Sequence, residues 1–397
     1  MKIALLCSGL GQVVRGHEVF ARGLFDLLAD DLDITLFKGG GEASAREWVM
    51  PNVHRYDPCL DHIHANTSPR WASAFREQER VRIEHETFAY ASLVHLLQND
   101  FDIVHCLEQE VCNVIHDNRH LFRRPPKIVF SNGGAIAARE LPRCDAVQEH
   151  TDHNMSFSDP RRAFMIPHGV NLRRFHPGVP SDFRQRHGIP ADAFVVISVG
   201  TIGFAHKRMD YVVREVAAVP GAHLLVVGQR NADTPAIQAL AQQLMGERAV
   251  FATLPHAELP QAYAAADVFT LASRFETFGI VYIEAMAMGL PVICTQHVNQ
   301  TSIVKEGVFI DVTQEGALTT ALRDTPRERF EALGQRGLEI VRECYDLEVL
   351  KRRYAETYAA LAATPVELPG YTMKKKLQSN LRNVVRRTSR LIHGHAR

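Results

Sequence analysis

Residues 194–228 read FVVISVGTIGFAHKRMDYVVREVAAVPGAHLLVVG. The run at 194–199 is apolar except for Ser198 and rich in β-branched residues, the pattern of a strand buried on both faces. The loop Gly200-Thr201-Ile202-Gly203-Phe204-Ala205-His206-Lys207-Arg208 follows. Residues 209–219 then read as a helix, Pro220-Gly221 as a turn, and 224–227 as a second apolar strand. Strand, helix and strand with short joins form a βαβ unit, whose two strands are expected to be parallel.

The alternation continues in both directions. Thr234-Pro235 opens a helix with an N-cap and a proline in its first turn. Further strands are expected at 250–252, 268–271, 292–294 and 308–310. Toward the N-terminus, strands are expected at 3–7, 32–37, 103–107, 128–131, 146–148 and 164–166, with helices at 15–29 and 71–97. Between the halves, residues 167–193 are rich in proline, glycine and charge, as a domain boundary would be. The expected architecture is α/β, with two Rossmann-like doubly wound parallel-sheet domains at 1–170 and 171–360 and a tail at 361–397.

The chain has 397 residues, too many for one small module. Lys plus Arg and Asp plus Glu are both 45, which argues against a nucleic-acid binder. The balance is uneven along the chain. Residues 371–397 carry three Lys and five Arg and no acid, which leaves 1–370 with 37 basic and 45 acidic side chains. Leu377, Leu381, Val384, Val385, Leu391 and Ile392 recur there at helical spacing, so the tail reads as a basic amphipathic helix. An anionic membrane surface and the acidic body are both candidate docking sites for it. No run of eighteen apolar residues exists, and the apolar start is too short for a signal peptide. The seven Cys include no Cys-x-x-Cys pair and read as reduced thiols of a cytoplasmic protein.

Chemistry concentrates at Ser273-Arg274-Phe275-Glu276-Thr277-Phe278-Gly279-Ile280-Val281-Tyr282-Ile283-Glu284-Ala285-Met286-Ala287-Met288-Gly289-Leu290-Pro291. A helix is expected over 278–288, stopped by Gly289 and Pro291. It is apolar on every side, so it is buried and Glu284 needs partners. Two readings stand: an internal arginine, or the hydroxyls of a bound sugar or ribose. The N–H groups of Phe278, Gly279 and Ile280 open that helix and suit a phosphate. Lys207 and Arg208 lie at the carboxyl end of a strand, where α/β sheets take ligands. Gly9-Leu10-Gly11 fails as a dinucleotide motif, because Val14 takes the last glycine position and Lys38 the acidic one. Asp61-His62-Ile63-His64 near Cys59 is a weak metal candidate in a chain with 20 His.

The C-terminal half resembles the GT-B glycosyltransferases of family GT4. The resemblance rests on an ordered series over about 194–312: Ser198-Val199-Gly200, Lys207-Arg208, Leu224-Leu225-Val226-Val227-Gly228, Leu259 to Val268, the pair Glu276/Glu284, and Gly289-Leu290-Pro291-Val292-Ile293. Ile166-Pro167-His168-Gly169-Val170-Asn171 resembles the family's interdomain segment. In the N-terminal half Arg15-Gly16-His17-Glu18 is similar to its Gly-Gly-x-Glu loop.

The resemblance implies two domains facing a central cleft and retaining transfer from a UDP- or GDP-linked sugar. The acceptor would be a glycan or a lipid-linked sugar, in cell-surface polysaccharide or glycolipid synthesis. No cofactor, metal or nucleic acid is implied, and the address is the cytoplasm or the cytoplasmic membrane face. Glu276 and Lys207 would be catalytic, Glu276 at the transferred sugar and Lys207 at the diphosphate. Thr201, Gly203, Arg208, Phe278, Gly279, Ile280, Glu284, Gly16, His17 and Asn132 would bind the donor, with Glu284 on the ribose. The sequence departs from the family pattern at Thr201, where an arginine is usual, and at Asn132, where a sugar-contacting histidine is usual. A nucleotide-sugar 2-epimerase and a non-catalytic sugar-nucleotide binder are the competing readings.

Overall fold

The computed structural model describes residues 1–13, 16–134 and 136–368. The first domain runs β1 (Lys2–Cys7), α1 (Gly16–Leu28), β2 (Asp33–Lys38), β3 (Glu47–Val49), α2 (Pro69–Gln98), β4 (Ile103–Cys106), α3 (Gln109–Asp117), β5 (Lys127–Ser131), β6 (Ala146–Glu149), α4 (Asp152–Met155) and β7 (Ala163–Met165). The second begins with α5 (Phe183–Arg186), β8 (Val195–Val199), α6 (Met209–Ala217), β9 (His223–Val227), α7 (Thr234–Met245), β10 (Ala249–Ala252) and α8 (Leu259–Ala264). It continues with β11 (Val268–Leu271), α9 (Ile280–Ala287), β12 (Val292–Thr295), α10 (Val298–Val304), β13 (Val308–Ile310), α11 (Ala317–Asp324), α12 (Arg327–Cys344) and α13 (Leu347–Ala362).

The strands form two sheets, ordered β3-β2-β1-β4-β5-β6-β7 and β10-β9-β8-β11-β12-β13, and every pairing in them is parallel. In each sheet the strand order reverses beside the first strand, at β1/β4 and at β8/β11. Ligands of open α/β sheets bind in the crevice beyond such a reversal. The alternation of β1 shows why both faces are covered. Ile3, Leu5 and Cys7 pack with α1, whereas Ala4 and Leu6 pack with Phe88 and Val111 of α2 and α3.

The short strand β3 departs from the sequence reading. Glu-Trp-Val is too short to carry an apolar run. It forms because it extends the sheet edge, where Glu47 binds Lys38 at 2.5 Å and Arg22 at 2.6 Å. Helix α13 lies within the span read as the second domain, yet its side chains enter the first. Leu350, Tyr354 and Tyr358 join the cluster around β1 and α1, and the Tyr358 hydroxyl lies 2.6 Å from His105 Nδ1. Residues 369–397, where the basic amphipathic helix is expected, lie outside the described residues. Among the described residues no helix is long and apolar enough to cross a membrane.

The domains meet over an aromatic cluster. His150 stacks on His168 with ring centroids 4.3 Å apart, Phe20 of α1 meets both edge-on, and Phe278 of the second domain meets His168 at 4.8 Å. Burial holds His150 down at about 4, and burial with His150 alongside pushes His168 well below the ordinary range. These rings are neutral when folded, so the unfolded chain binds more protons in acid. Stability is then present above the unfolded value near 6.5 and lost as the pH falls toward 4. For His150 alone the loss is on the order of 3 kcal/mol. Thermal denaturation should show Tm falling steadily from pH 7 to pH 4.5, and His168→Phe should flatten the slope. An equal slope in that variant would show that the acid sensitivity arises elsewhere.

Candidate functional site

The crevice at β8/β11 is built by two loops. One leaves β8 at Gly200, and Gly228 lets it pass close, since a Cβ there would lie 1.7 Å from the Gly200 carbonyl oxygen. The Lys207 side chain lies over Gly200 and forms an ion pair with Glu276, in the loop after β11. Both side chains are largely buried, at 18% and 7% exposure, so the pair is shielded from water. His206 Nε2 lies 3.5 Å from the same carboxylate oxygen. Gly279 ends this loop at φ 76°, and a Cβ there would meet the Tyr282 ring at 2.7 Å. Only glycine combines that backbone with that packing, and it turns the chain into α9 with Phe278 buried behind. The first N–H groups of α9 therefore open beside Glu276.

Glu284 lies one turn into α9, and its partners are not an arginine. The Tyr263 hydroxyl donates to Oε2 at 2.9 Å and His256 Nε2 lies 2.7 Å from Oε1. Burial, together with the Glu284 charge, raises Tyr263 well above its usual range, so it stays protonated as a donor. Ile280, His256 and Glu284 line a cleft of about 990 Å³ whose other walls are α1, the interdomain segment at 167–175 and the start of α13. Polar groups of a ligand in this cleft would reach Glu284 in exchange for His256, which is more than half exposed.

The first domain has its own crevice at β1/β4. Ser8 donates to Glu108 from its N–H at 2.7 Å and from its hydroxyl at 3.0 Å, and His17 Nε2 lies 3.5 Å away. Burial alone would raise Glu108; the His17 bond, with His17 and His85 nearby and the Ser8 N–H, outweighs it and holds Glu108 at about 2. Ligand atoms of Cys7, His17 and Glu108 lie within 4.8 Å of one another, the group of that kind found among the described residues. Burial first, and the Glu108 and Glu18 charges second, raise the Cys7 thiol well above its ordinary range. The Asp61, His62 and His64 stretch does not join such a group. Beside this crevice Leu10, Gln12, Val13, Arg22, Lys38 and Gly41 help line a second cavity of about 450 Å³.

The residues singled out in the sequence divide into two sets. Lys207, Glu276, Phe278, Gly279 and Ile280 converge on one crevice, with Glu284 one helical turn further on. Thr201 is exposed at the mouth of its loop, and Gly203 packs against Asn231. Gly16 opens α1, and His17 faces Glu108. Two residues are directed elsewhere. Arg208 donates to the Val312 carbonyl and lies over the Tyr211 ring at 4.7 Å, so its charge does not reach the Glu276 pair. Asn132 is fully buried; its amide nitrogen donates to both Glu149 oxygens at 3.0 Å and its oxygen accepts from the Gly134 N–H at 3.2 Å. Burial raises Glu149, while the Asn132 and Ser158 bonds pull it down. The sequence reading passed over His256, Tyr263, Ser8 and Glu108. The available signal is a Glu between an apolar strand and a helix, as at Glu108 between β4 and α3.

Residues 193–333 match the family model described as Glycosyl transferases group 1. The D-inositol 3-phosphate glycosyltransferase 1 of Catenulispora acidiphila is 33% identical over 200 residues, covering 46% of this chain and 47% of that protein. The chain thus spans less than half the length of this curated relative. Over 91% of the chain, the fold resembles a sucrose-phosphate synthase from Thermosynechococcus elongatus, covering 99% of it at TM-score 0.72 and 21% identity. It also resembles Anabaena HepE in complex with UDP-glucose, covering 91% of this chain and 100% of that one at TM-score 0.67 and 17% identity. The two parallel sheets and these structural likenesses give the chain the two-domain GT-B fold, and residues 193–333 carry the match to group 1 glycosyltransferases.

Proposed function

We propose that the chain transfers a sugar from a nucleotide-sugar to a hydroxyl of a polyhydroxylated acceptor, with retention at the anomeric carbon. The observation that carries this reading is the shielded Lys207–Glu276 pair beside the opening of α9, with Glu284 lining the adjoining cleft. The resemblance to HepE in complex with UDP-glucose supports a UDP-linked donor. Names of similar proteins include an inositol phosphate glycosyltransferase and a sucrose-phosphate synthase, which supports a polyol or sugar phosphate acceptor.

In this reading Glu284 takes the ribose hydroxyls, replacing its bond from His256. Lys207 turns from Glu276 to the diphosphate and, with the α9 N–H groups, stabilises the negative charge that develops as the anomeric bond loosens. Glu276, released from the ion pair, accepts hydrogen bonds from sugar hydroxyls. The leaving phosphate oxygen takes the acceptor proton on the face it departs from. Closure of the two domains excludes water and aligns the acceptor, which lies toward the β1/β4 crevice.

A thermal-shift screen with UDP-, GDP- and ADP-sugars, followed by nucleoside diphosphate release with polyol phosphates, tests this. A Tm rise with one nucleotide class and acceptor-dependent release are expected. No shift with any nucleotide, or a sugar epimer formed without acceptor, would overturn it.

A further inference from the structure

Asn299 sits in the first turn of α10, in the second domain, and is 5% exposed. Its amide nitrogen donates to the Glu276 carbonyl at 2.8 Å and lies 3.5 Å from that of Thr277. Its amide oxygen accepts from the Thr151 hydroxyl at 3.0 Å, and Thr151 belongs to the first domain. The Thr151 hydroxyl itself accepts from the Asn154 N–H at 3.1 Å, as the N-cap of α4. Its single proton is thereby directed to Asn299. An amide has one donor end and one acceptor end. Here each end serves a different domain, and a flip would lose both bonds.

The other end of the Glu276 loop is held differently. The Ser273 carbonyl accepts from the Thr295 hydroxyl at 2.6 Å and from Gln300 at 3.2 Å, all within the second domain. The loop is thus anchored at Ser273 whatever the first domain does. At Glu276 and Thr277 it is anchored through a side chain whose orientation the first domain sets. A Cβ on Gly134 of the first domain would lie 3.9 Å from the Thr277 methyl, so the contact there is also close.

We propose that Asn299 is a positioning residue that couples docking of the first domain, through Thr151, to the placement of Glu276. When the domains part, Thr151 leaves, the Asn299 amide is free to rotate, and the Glu276 carbonyl loses a fixed donor. The carboxylate that faces the sugar is then held in place only in the docked state, which limits loss of donor to water in the open one. The functional consequence rests on the transfer reading above; the mechanical coupling does not.

The test compares Thr151→Val, Thr151→Ser, Asn299→Ala and the double variant Thr151→Val/Asn299→Ala in the full chain. Two readouts are used: amide hydrogen exchange by mass spectrometry, and kcat with UDP affinity. Thr151→Val should speed exchange across residues 273–279 and lower kcat about tenfold, with UDP affinity within about twofold of wild type. Thr151→Ser should restore both readouts. The double variant should be no worse than Asn299→Ala, because both changes cut one path. Loss of the α4 cap alone would change exchange at 152–156 and leave 273–279 protected, which overturns the proposal. Failure of serine to rescue, or multiplicative losses in the double variant, overturns it as well. If the wild type shows no transfer, the functional reading fails while the exchange result still decides the coupling.

Discussion

Glu276→Gln is expected to lower kcat by about 10²–10³-fold while the protein stays folded. The substitution keeps the shape of the side chain and an oxygen that accepts from Lys207. It removes the charge that makes the carboxylate a strong acceptor for sugar hydroxyls. The destabilisation should be smaller than for Lys207→Ala, because the Lys207 ammonium keeps a hydrogen-bond acceptor in the amide oxygen. Lys207→Ala should cost turnover similarly. It should also lower Tm more, since it removes the ion-pair partner of the buried Glu276 carboxylate and leaves His206 at 3.5 Å beside it. Steady-state kinetics, UDP affinity and thermal denaturation of both variants check this. Near-normal turnover in both would remove them from the chemistry.

The second large effect is on stability. Tyr358→Ala should destabilise the first domain by about 3–5 kcal/mol, the usual range for emptying a buried aromatic site. Tyr358 is fully buried in the cluster around β1 and α1, and its loss also leaves His105 Nδ1 without its partner. Burial keeps His105 at about 3, so it stays neutral and does not compensate by charging. Tyr358→Phe removes only the hydroxyl and should cost about 1 kcal/mol. Denaturant unfolding followed by probes in each domain would show the loss in the first domain, although the residue is near the C-terminus. A loss confined to the second domain would contradict the packing.

That helix shows what the sequence reveals and what it hides. Apolar runs such as 194–199 and 224–227 announce buried parallel strands, because such strands are covered on both faces. Which domain a late helix covers depends on tertiary packing, and the spacing of Leu350, Tyr354 and Tyr358 on α13 is the same whichever core they enter. The site divides in the same way. Glu276 and Glu284 stand out because carboxylates are rare in or beside so apolar a helix. His256 and Tyr263 carry no such signal, since a polar residue after a strand and a Tyr in a short helix are ordinary. Arg208 and Asn132 were plausible by position along the chain. The left-handed turn at Arg208, φ 47°, sends its side chain toward Val312, and the buried Glu149 claims Asn132. Neither direction can be read from residue order. Asn299 is less legible still, because its importance lies in a bond to a residue 148 positions away.

In the proposed function, a nucleotide-sugar binds at the Lys207–Glu276 pair and reaches into the adjoining cleft lined by Glu284. Calorimetric titration of UDP-glucose into the wild type and Glu284→Ala is the test. Saturable one-to-one binding to the wild type is expected, weakened about a hundredfold in the variant, where two ribose hydroxyls lose a charged acceptor. Equal binding by both proteins would contradict it.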